Sequence, residues 1–456
     1  MRKRNFFCLF VIICLSFRCF FVSATQAQFE ENVRGKLWLT ISKSVSVNHI
    51  LVLLSPTSDH MRSYLNNPLH EKAEAYFSRF KDHPAVQFTD QIFQNYNYFA
   101  FNYMAFFYTD FPEARMRDDI VLPPEYVQNP QIQQIMSQYV VLVDDFYRIT
   151  AFDKFWKDNE EDLRSVMETC REAMPEFDLP GVMESFYNEK VDRFYFVPCP
   201  FMKTMGMHVE IENKQGNRTF YYIAGGNIYQ NRLSNISTAF HEFSHSFIEP
   251  ISAKYAKELS ELEYLYKPLE KDLTPMGYRD WDRGFNEHIV RAAEAHLMGM
   301  SFGEEIRSKK LTMEKQSGFQ LIDRFYHYIQ SYDENHDQYP TLEAYYPILL
   351  KYLRQIQVDS VSAPGTMGFY PEYHENRLYV KDTVPNSIFA VSGIEKGDIL
   401  YSIEGREITS KRSFIEAKEA YWNHTVVGDS VSVCLIRDGK KCSSVSVSRS
   451  SLSIVM

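Results

Sequence analysis

Near residue 361 the pattern of the chain changes. Upstream, long stretches place apolar residues three and four apart. Beyond Val361-Ser362-Ala363-Pro364-Gly365 come short alternating runs separated by turn residues. The two patterns cannot share one architecture. The expectation is α+β: a mainly helical domain with a small mixed sheet over residues 28–357, then a β-rich domain over 361–452. With 456 residues, 45% of them hydrophobic, the chain can fill more than one core.

Within the first domain, Lys36 to Leu54 reads as strand-like segments (LWLTISKSVSV, then ILVLL), and Ala73, Tyr76, Phe77 and Phe80 mark a helix over His70 to Phe80. Helices dominate as far as Glu189. Strands follow at Phe194 to Cys199, Met205 to Ile211 and Arg218 to Ala224. A second helical run extends from Asn231 to Gln357, with breaks expected at Pro250, Pro268, Pro275 and near Pro340.

The N-terminus has the layout of a secretory signal peptide: basic Arg2, Lys3 and Arg4, the apolar run Phe6 to Phe17, then small residues around Ser23, Ala24 and Ala27. Cleavage after Ala24 or Ala27 would leave a secreted or periplasmic protein with no stable membrane span, because Arg18 interrupts an apolar run already too short to cross a bilayer. Loss of Arg2, Lys3, Arg4 and Arg18 takes the net charge from −10 to −14. That sign excludes nucleic acid as a main partner. Cys170, Cys199, Cys434 and Cys442 remain, too few for a disulfide framework. A two-residue turn at Asp438-Gly439 would pair Leu435, not Cys434, with Cys442.

The chemistry concentrates in STAFHEFSHSFIEP. His241 and His245 lie four apart and so share one side of a helix, where two imidazoles can hold one Zn2+. Glu242, turned about 100° from His241, is placed to act as general base on a zinc-activated water. Ile236, Phe240, Phe243 and Phe247 make an apolar stripe on the opposite side. Asn235 or Ser234 can cap the helix start, and Pro250 is expected to end it.

A catalytic zinc takes a third protein ligand and keeps a fourth position open. Ile248 and Ile251 stand where a metzincin has its glycine and third histidine, which excludes that class. In RGFNEHIVRAAEAHLMG, Glu287 follows Asn286 at the start of a helical stretch and resembles the third ligand of gluzincins; Glu263 and Glu294 compete with it. The thermolysin pattern has Ser-Asp after this glutamate. Val290 and Arg291 stand there instead, which leaves the carboxylate that orients the first histidine unassigned. His288, Arg291, Tyr278, Tyr221 and Tyr222 are candidate oxyanion stabilisers, and Ala224-Gly225-Gly226 a candidate edge for pairing with a substrate backbone.

The segments NPLHEKAEAYFSRFKDHPAVQF, HEFSH and NEHIVRA resemble an uncharacterised family of exported Bacteroidetes proteins, a domain of unknown function. The resemblance implies a gluzincin-like, zincin-type metallopeptidase over roughly residues 30–357. Downstream, SGIEKGDILYSIEGREI, Phe414 in a helix and VGDSVSVCLIRDGKKCSSVSV resemble a PDZ domain of the bacterial-protease type. It implies that Met367, Gly368 and Phe369 lie in a carboxylate-binding loop, whose backbone would hold the C-terminus of a peptide. The expectation is a zinc peptidase acting on a peptide or protein substrate. The alternatives are an aminopeptidase like the PDZ-linked glycyl aminopeptidases, which needs an acidic partner for the substrate amine, and a peptide-binding scaffold whose zinc site is structural or vestigial.

Overall fold

The computed structural model describes residues 29–56, 68–95, 98–354, 356, 369–374, 376–383, 392–417, 420–421, 430–437, 439–441 and 445–448. The signal-peptide region lies outside them. The fold is α+β. Two compact units divide it: Met1–Lys254 with Ile289–Lys310 and Tyr326–Tyr345, and Tyr255–His288 with Leu311–Phe325 and Tyr346–Met456.

The first unit is built on a mixed sheet ordered β1-β2-β4-β6-β5-β3. Its strands are β1 (Glu30–Arg34), β2 (Leu37–Thr40), β3 (Ile120–Val121), β4 (Arg193–Cys199), β5 (Gly206–Asn213) and β6 (Arg218–Gly225). The β2, β4 and β6 strands run parallel, and β5 turns back antiparallel on β6. From Phe194 onward every residue of β4 is buried, which explains the unbroken apolar run FYFVPC in a strand covered on both faces. Between β2 and β4 the chain runs mainly through helices: α1 (Lys43–Leu54), α2 (Pro68–Phe77), α3 (Pro84–Asn95), α4 (Tyr98–Phe107), α5 (Pro124–Gln128), α6 (Pro130–Ile149), α7 (Phe152–Asp158), α8 (Glu160–Glu172) and α9 (Leu179–Tyr187). After β6 comes α10 (Arg232–Lys254).

The strand reading of Lys36 to Leu54 holds only for β2; Lys43 to Leu54 is helical. Ser42 starts α1 by accepting the Val45 N–H on its hydroxyl at 3.2 Å. Every residue from Ser44 to Leu54 is buried, so the helix has no polar face for a 3.6-residue period to reveal. Inside that core the Asn48 amide donates to the Phe101 carbonyl at 3.1 Å and accepts the Tyr139 hydroxyl at 2.8 Å. Tertiary burial has overridden the strand preference of Val45, Val47, Ile50 and Val52.

In the second unit, α11 (Ala256–Ser260) and α12 (Glu270–Leu273) precede the start of α13 (Trp281–Phe302). Trp281 Nε1 donates to the Leu259 carbonyl at 3.0 Å, and the Phe285 ring meets Phe325 and Tyr346. Next come α14 (Glu304–Gln316), α15 (Ile322–Glu334) and α16 (Leu342–Leu353).

Downstream, β7 (Phe369–His374), β8 (Arg377–Thr383), β9 (Ile399–Ile403), β10 (Arg406–Glu407), α17 (Lys411–Ala417), β11 (Ser430–Arg437), β12 (Lys440–Lys441) and β13 (Val445–Ser448) form a small β-rich body. Its sheet runs β12-β11-β9-β8-β7 over a core that includes Phe369, Leu378, Leu400, Ile403, Phe414 and Val433. Glu404-Gly405 makes the expected hairpin turn, both residues at positive φ, where glycine costs least. Buried Asp398 accepts Arg437 Nε at 2.6 Å and Nη2 at 2.7 Å and also takes the Glu395 N–H at 2.8 Å. Arg437 pairs with Lys440 and Ile436 with Lys441, the register expected around Asp438-Gly439; Cys442 lies outside the described residues.

Candidate metal centre

Helix α10 is anchored on the sheet through its aromatic stripe. Phe243 meets Phe194 at 5.1 Å and Phe196 at 6.0 Å between ring centroids, while Phe247 meets Phe220 at 5.0 Å and stacks on Tyr187 at 4.2 Å. Each such buried ring contributes about 1.5–3 kcal/mol through removal of apolar area from water. The opposite side, with both histidines, is thereby turned away from the core.

Both ends of α10 differ from expectation. Asn231, not Asn235 or Ser234, caps the start: its side chain accepts the Ser234 N–H at 3.0 Å and its carbonyl the Asn235 N–H at 2.8 Å. Asn235 lies inside the helix, donating to the Ala173 carbonyl at 3.2 Å. Nor does Pro250 end the helix, which continues to Lys254. Proline cannot donate to the carbonyl of Ser246, four residues back, and Arg218 Nη2 fills that place from β6 at 3.3 Å. The extra turn keeps Glu249 helical and one turn past His245.

His241 and His245 face each other through their Nε2 atoms, 3.2 Å apart. Their Nδ1 atoms are held by carboxylates: His241 by Glu294 at 3.1 Å and His245 by Glu249 at 2.8 Å. A carboxylate only accepts, so each Nδ1 carries the hydrogen and each Nε2 can offer its lone pair to a cation. Two converging lone pairs repel. A cation bound to both removes the repulsion, so the donor set fits a metal.

Glu294 sits on α13 and is 2% exposed; besides His241 it accepts the Ser237 hydroxyl and Lys310 Nζ, the latter at 2.7 Å. Burial opposes its charge, but Lys310 and His241 outweigh burial and hold its carboxyl well below the usual range. Glu294 therefore occupies the orienting role that the sequence left unassigned. Glu287 lies two turns earlier on the same helix and is buried. Glu263 stands exposed in a 3-10 turn.

His208, on which the sequence gives no reading, forms with Glu242 and His245 a group whose donor atoms all lie within 4.8 Å of one another. Its ring stacks on that of His245 at 4.6 Å, with Nδ1 3.6 Å from Glu242 Oε2 and Nε2 3.6 Å from Glu249 Oε2. Burial disfavours charge on this imidazole, yet Glu242 and Glu249 together push its pKa up to about 10. The only sequence trace was the alternation of MGMHVEI, with Gly206, His208 and Glu210 on one face of β5.

The oxyanion candidates sit on different elements. His288 packs against Phe319 and Phe325 with Nδ1 on the Gly284 carbonyl, and Tyr278 accepts the Tyr266 hydroxyl on its carbonyl. Tyr221 stacks on Tyr195, whereas Tyr222 is buried against Phe243. Arg291 is half-buried on α13. Ala224-Gly225 cannot offer a free edge, because β6 lies between β4 and β5 and Gly225 N–H bonds the Met205 carbonyl at 3.0 Å. The more open strand is β5, which β3 pairs only at Glu212 and Asn213. In the C-terminal body, Phe369 is buried in the core, so its backbone alone could meet a ligand; Met367 and Gly368 lie outside the described residues.

Residues 41–352 match a domain of unknown function, DUF4932. The chain belongs to that family. This DUF4932 chain also matches the PDZ domain family over residues 365–448, so it carries a module of a peptide- or protein-binding kind. Comparison with curated proteins gave no match. Among solved structures, the DUF4932 chain is similar to an aminopeptidase N family protein from Idiomarina loihiensis, with 11% identity, a TM-score of 0.19 and 63% of each chain covered. The chain thus spans less than two thirds of that protein. Among the described residues, no helix is long and apolar enough to cross a membrane.

Proposed function

We propose that this chain is an exported zinc-dependent peptidase whose PDZ domain positions a substrate or partner. One observation carries the reading: two histidine Nε2 atoms 3.2 Å apart on α10, each ring fixed from behind by its own carboxylate. His241, His245 and Glu287 would hold the ion, and Glu294 and Glu249 orient the two imidazoles. Zinc, when bound, lowers the pKa of water toward ~7 and polarises a carbonyl. Glu242 takes a proton from the attacking water and returns it to the leaving amine. Glu294 and Glu249 keep each Nδ1 protonated, so that neither ring turns away from the ion. Met367, Gly368 and the backbone of Phe369 would meet a peptide C-terminus at the PDZ domain. The signal-like N-terminus supports export to the periplasm or beyond.

The test is zinc content and hydrolysis of fluorescein-labelled casein by the purified mature chain. Glu242→Gln should keep one zinc per chain and lose at least ~100-fold in hydrolysis. Glu287→Ala should lose the metal. Full retention of zinc in Glu287→Ala would move the third ligand elsewhere, and a wild-type chain that binds no divalent ion would end the peptidase reading in favour of a peptide-binding scaffold.

A further inference from the structure

We infer that His208, with Gly206 beside it, is the positioning device for Glu242. This rests on the peptidase reading, which makes Glu242 the base. Gly206 and His208 are two apart on β5 and so share its face, while Met207 and Val209 are buried on the other. The two residues address different oxygens of one carboxylate. His208 Nδ1 stands 3.6 Å from Glu242 Oε2, and a Cβ built on Gly206 would fall 2.4 Å from Glu242 Oε1. One oxygen lies beside an imidazole nitrogen of His208. The other lies where a Cβ on residue 206 would stand, so a side chain there would push it aside.

A general base must meet its proton at about 2.6–3.2 Å, which a glutamate free to change rotamer would rarely do. A carboxylate beside a divalent cation is also drawn to ligate it, and the attraction of Oε2 to His208 opposes that collapse. The other ring nitrogen, 3.6 Å from Glu249 Oε2, ties the same imidazole to the carboxylate behind His245. His208 is therefore anchored on both sides, and its parallel stack on His245 fixes the plane of the ring.

Three substitutions in the full chain separate the two arms. Asparagine sets an amide nitrogen near the place of Nδ1, glutamine near that of Nε2, and alanine supplies neither. His208→Ala and His208→Gln should lower kcat on fluorescein-labelled casein by ~10–100-fold with KM within about twofold, and His208→Asn should restore most of it. Zinc affinity by chelator competition should not fall in any of the three, since His208 is not among the proposed ligands and a released Glu242 can only add to the donor set. In crystal structures of the metal-free proteins, Glu242 should keep its rotamer in the wild type and in His208→Asn and leave it in His208→Ala. Wild-type kcat in His208→Ala overturns the inference. Rescue by glutamine alone also overturns it, reassigning His208 to Glu249. A wild-type chain without zinc or hydrolysis refutes the peptidase reading instead, and the metal-free rotamers still decide whether His208 positions Glu242.

Discussion

Glu294 and Glu249 perform the same task at very different depths, and that difference yields a number. Each accepts the Nδ1 hydrogen of one histidine, but the Glu294 side chain is 2% exposed and that of Glu249 45%. At Glu249→Gln, the side-chain oxygen can still accept, and water already screens the charge that is lost. A half-exposed charged contact contributes at most ~1 kcal/mol, about fivefold in zinc affinity. At Glu294→Gln no solvent can enter, and Lys310 loses the carboxylate 2.7 Å from its Nζ. Loss of an orienting carboxylate costs ~10–100-fold in metal affinity, and burial places Glu294 at the upper end. The expected ratio between the two variants is therefore ~20-fold. Competition with a chromophoric zinc chelator measures it directly, and thermal melts of the metal-free proteins check that both variants fold. Equal losses, or a larger one at Glu249, would refute the argument from burial.

Two further outcomes follow from groups outside the metal centre. Arg437→Ala should destabilise the PDZ domain by ~3 kcal/mol, because it strands the buried Asp398 carboxylate, and a urea titration of the full chain should show that domain's transition moving alone. His49, fully enclosed in α1, has its pKa lowered by burial to about 3, whereas the unfolded chain titrates near 6.5. The unfolded state therefore takes up the proton first. The His49 contribution is intact above pH ~6.5 and declines by ~1.4 kcal/mol per unit as the pH falls toward 3. His49→Gln should flatten the dependence of stability on pH between 7 and 5, and an unchanged slope would show that another group sets it.

The legible parts of the sequence were those whose meaning is periodic and local. The stripe Ile236, Phe240, Phe243 and Phe247 predicted which side of α10 would be buried, and the turn at Glu404-Gly405 was readable from the positive φ it requires. The hidden parts depended on other elements. His208 acquires its role only when β5 lies beside α10, and one histidine in a strand carries no sign of that. Glu294 was noticed, but as a ligand rather than an orienting group, because spacing on α13 does not say which histidine atom a carboxylate meets. Glu249 is hidden because a proline at 250 reads as the end of the helix. Helix α1 was misread because burial on all sides removes the polar face that distinguishes a helix from a strand.

The guanidinium that completes α10 has a consequence for descent. Arg218 also binds Glu210 and Glu189, so it is fixed in place whether or not the helix needs it. With such an arginine behind residue 246, a proline at 250 no longer leaves that carbonyl unpaired; without it, the same residue would strand the acceptor in the turn that carries Glu249. Across relatives of this chain, the proline should therefore be inherited only together with the arginine, while the arginine can persist alone.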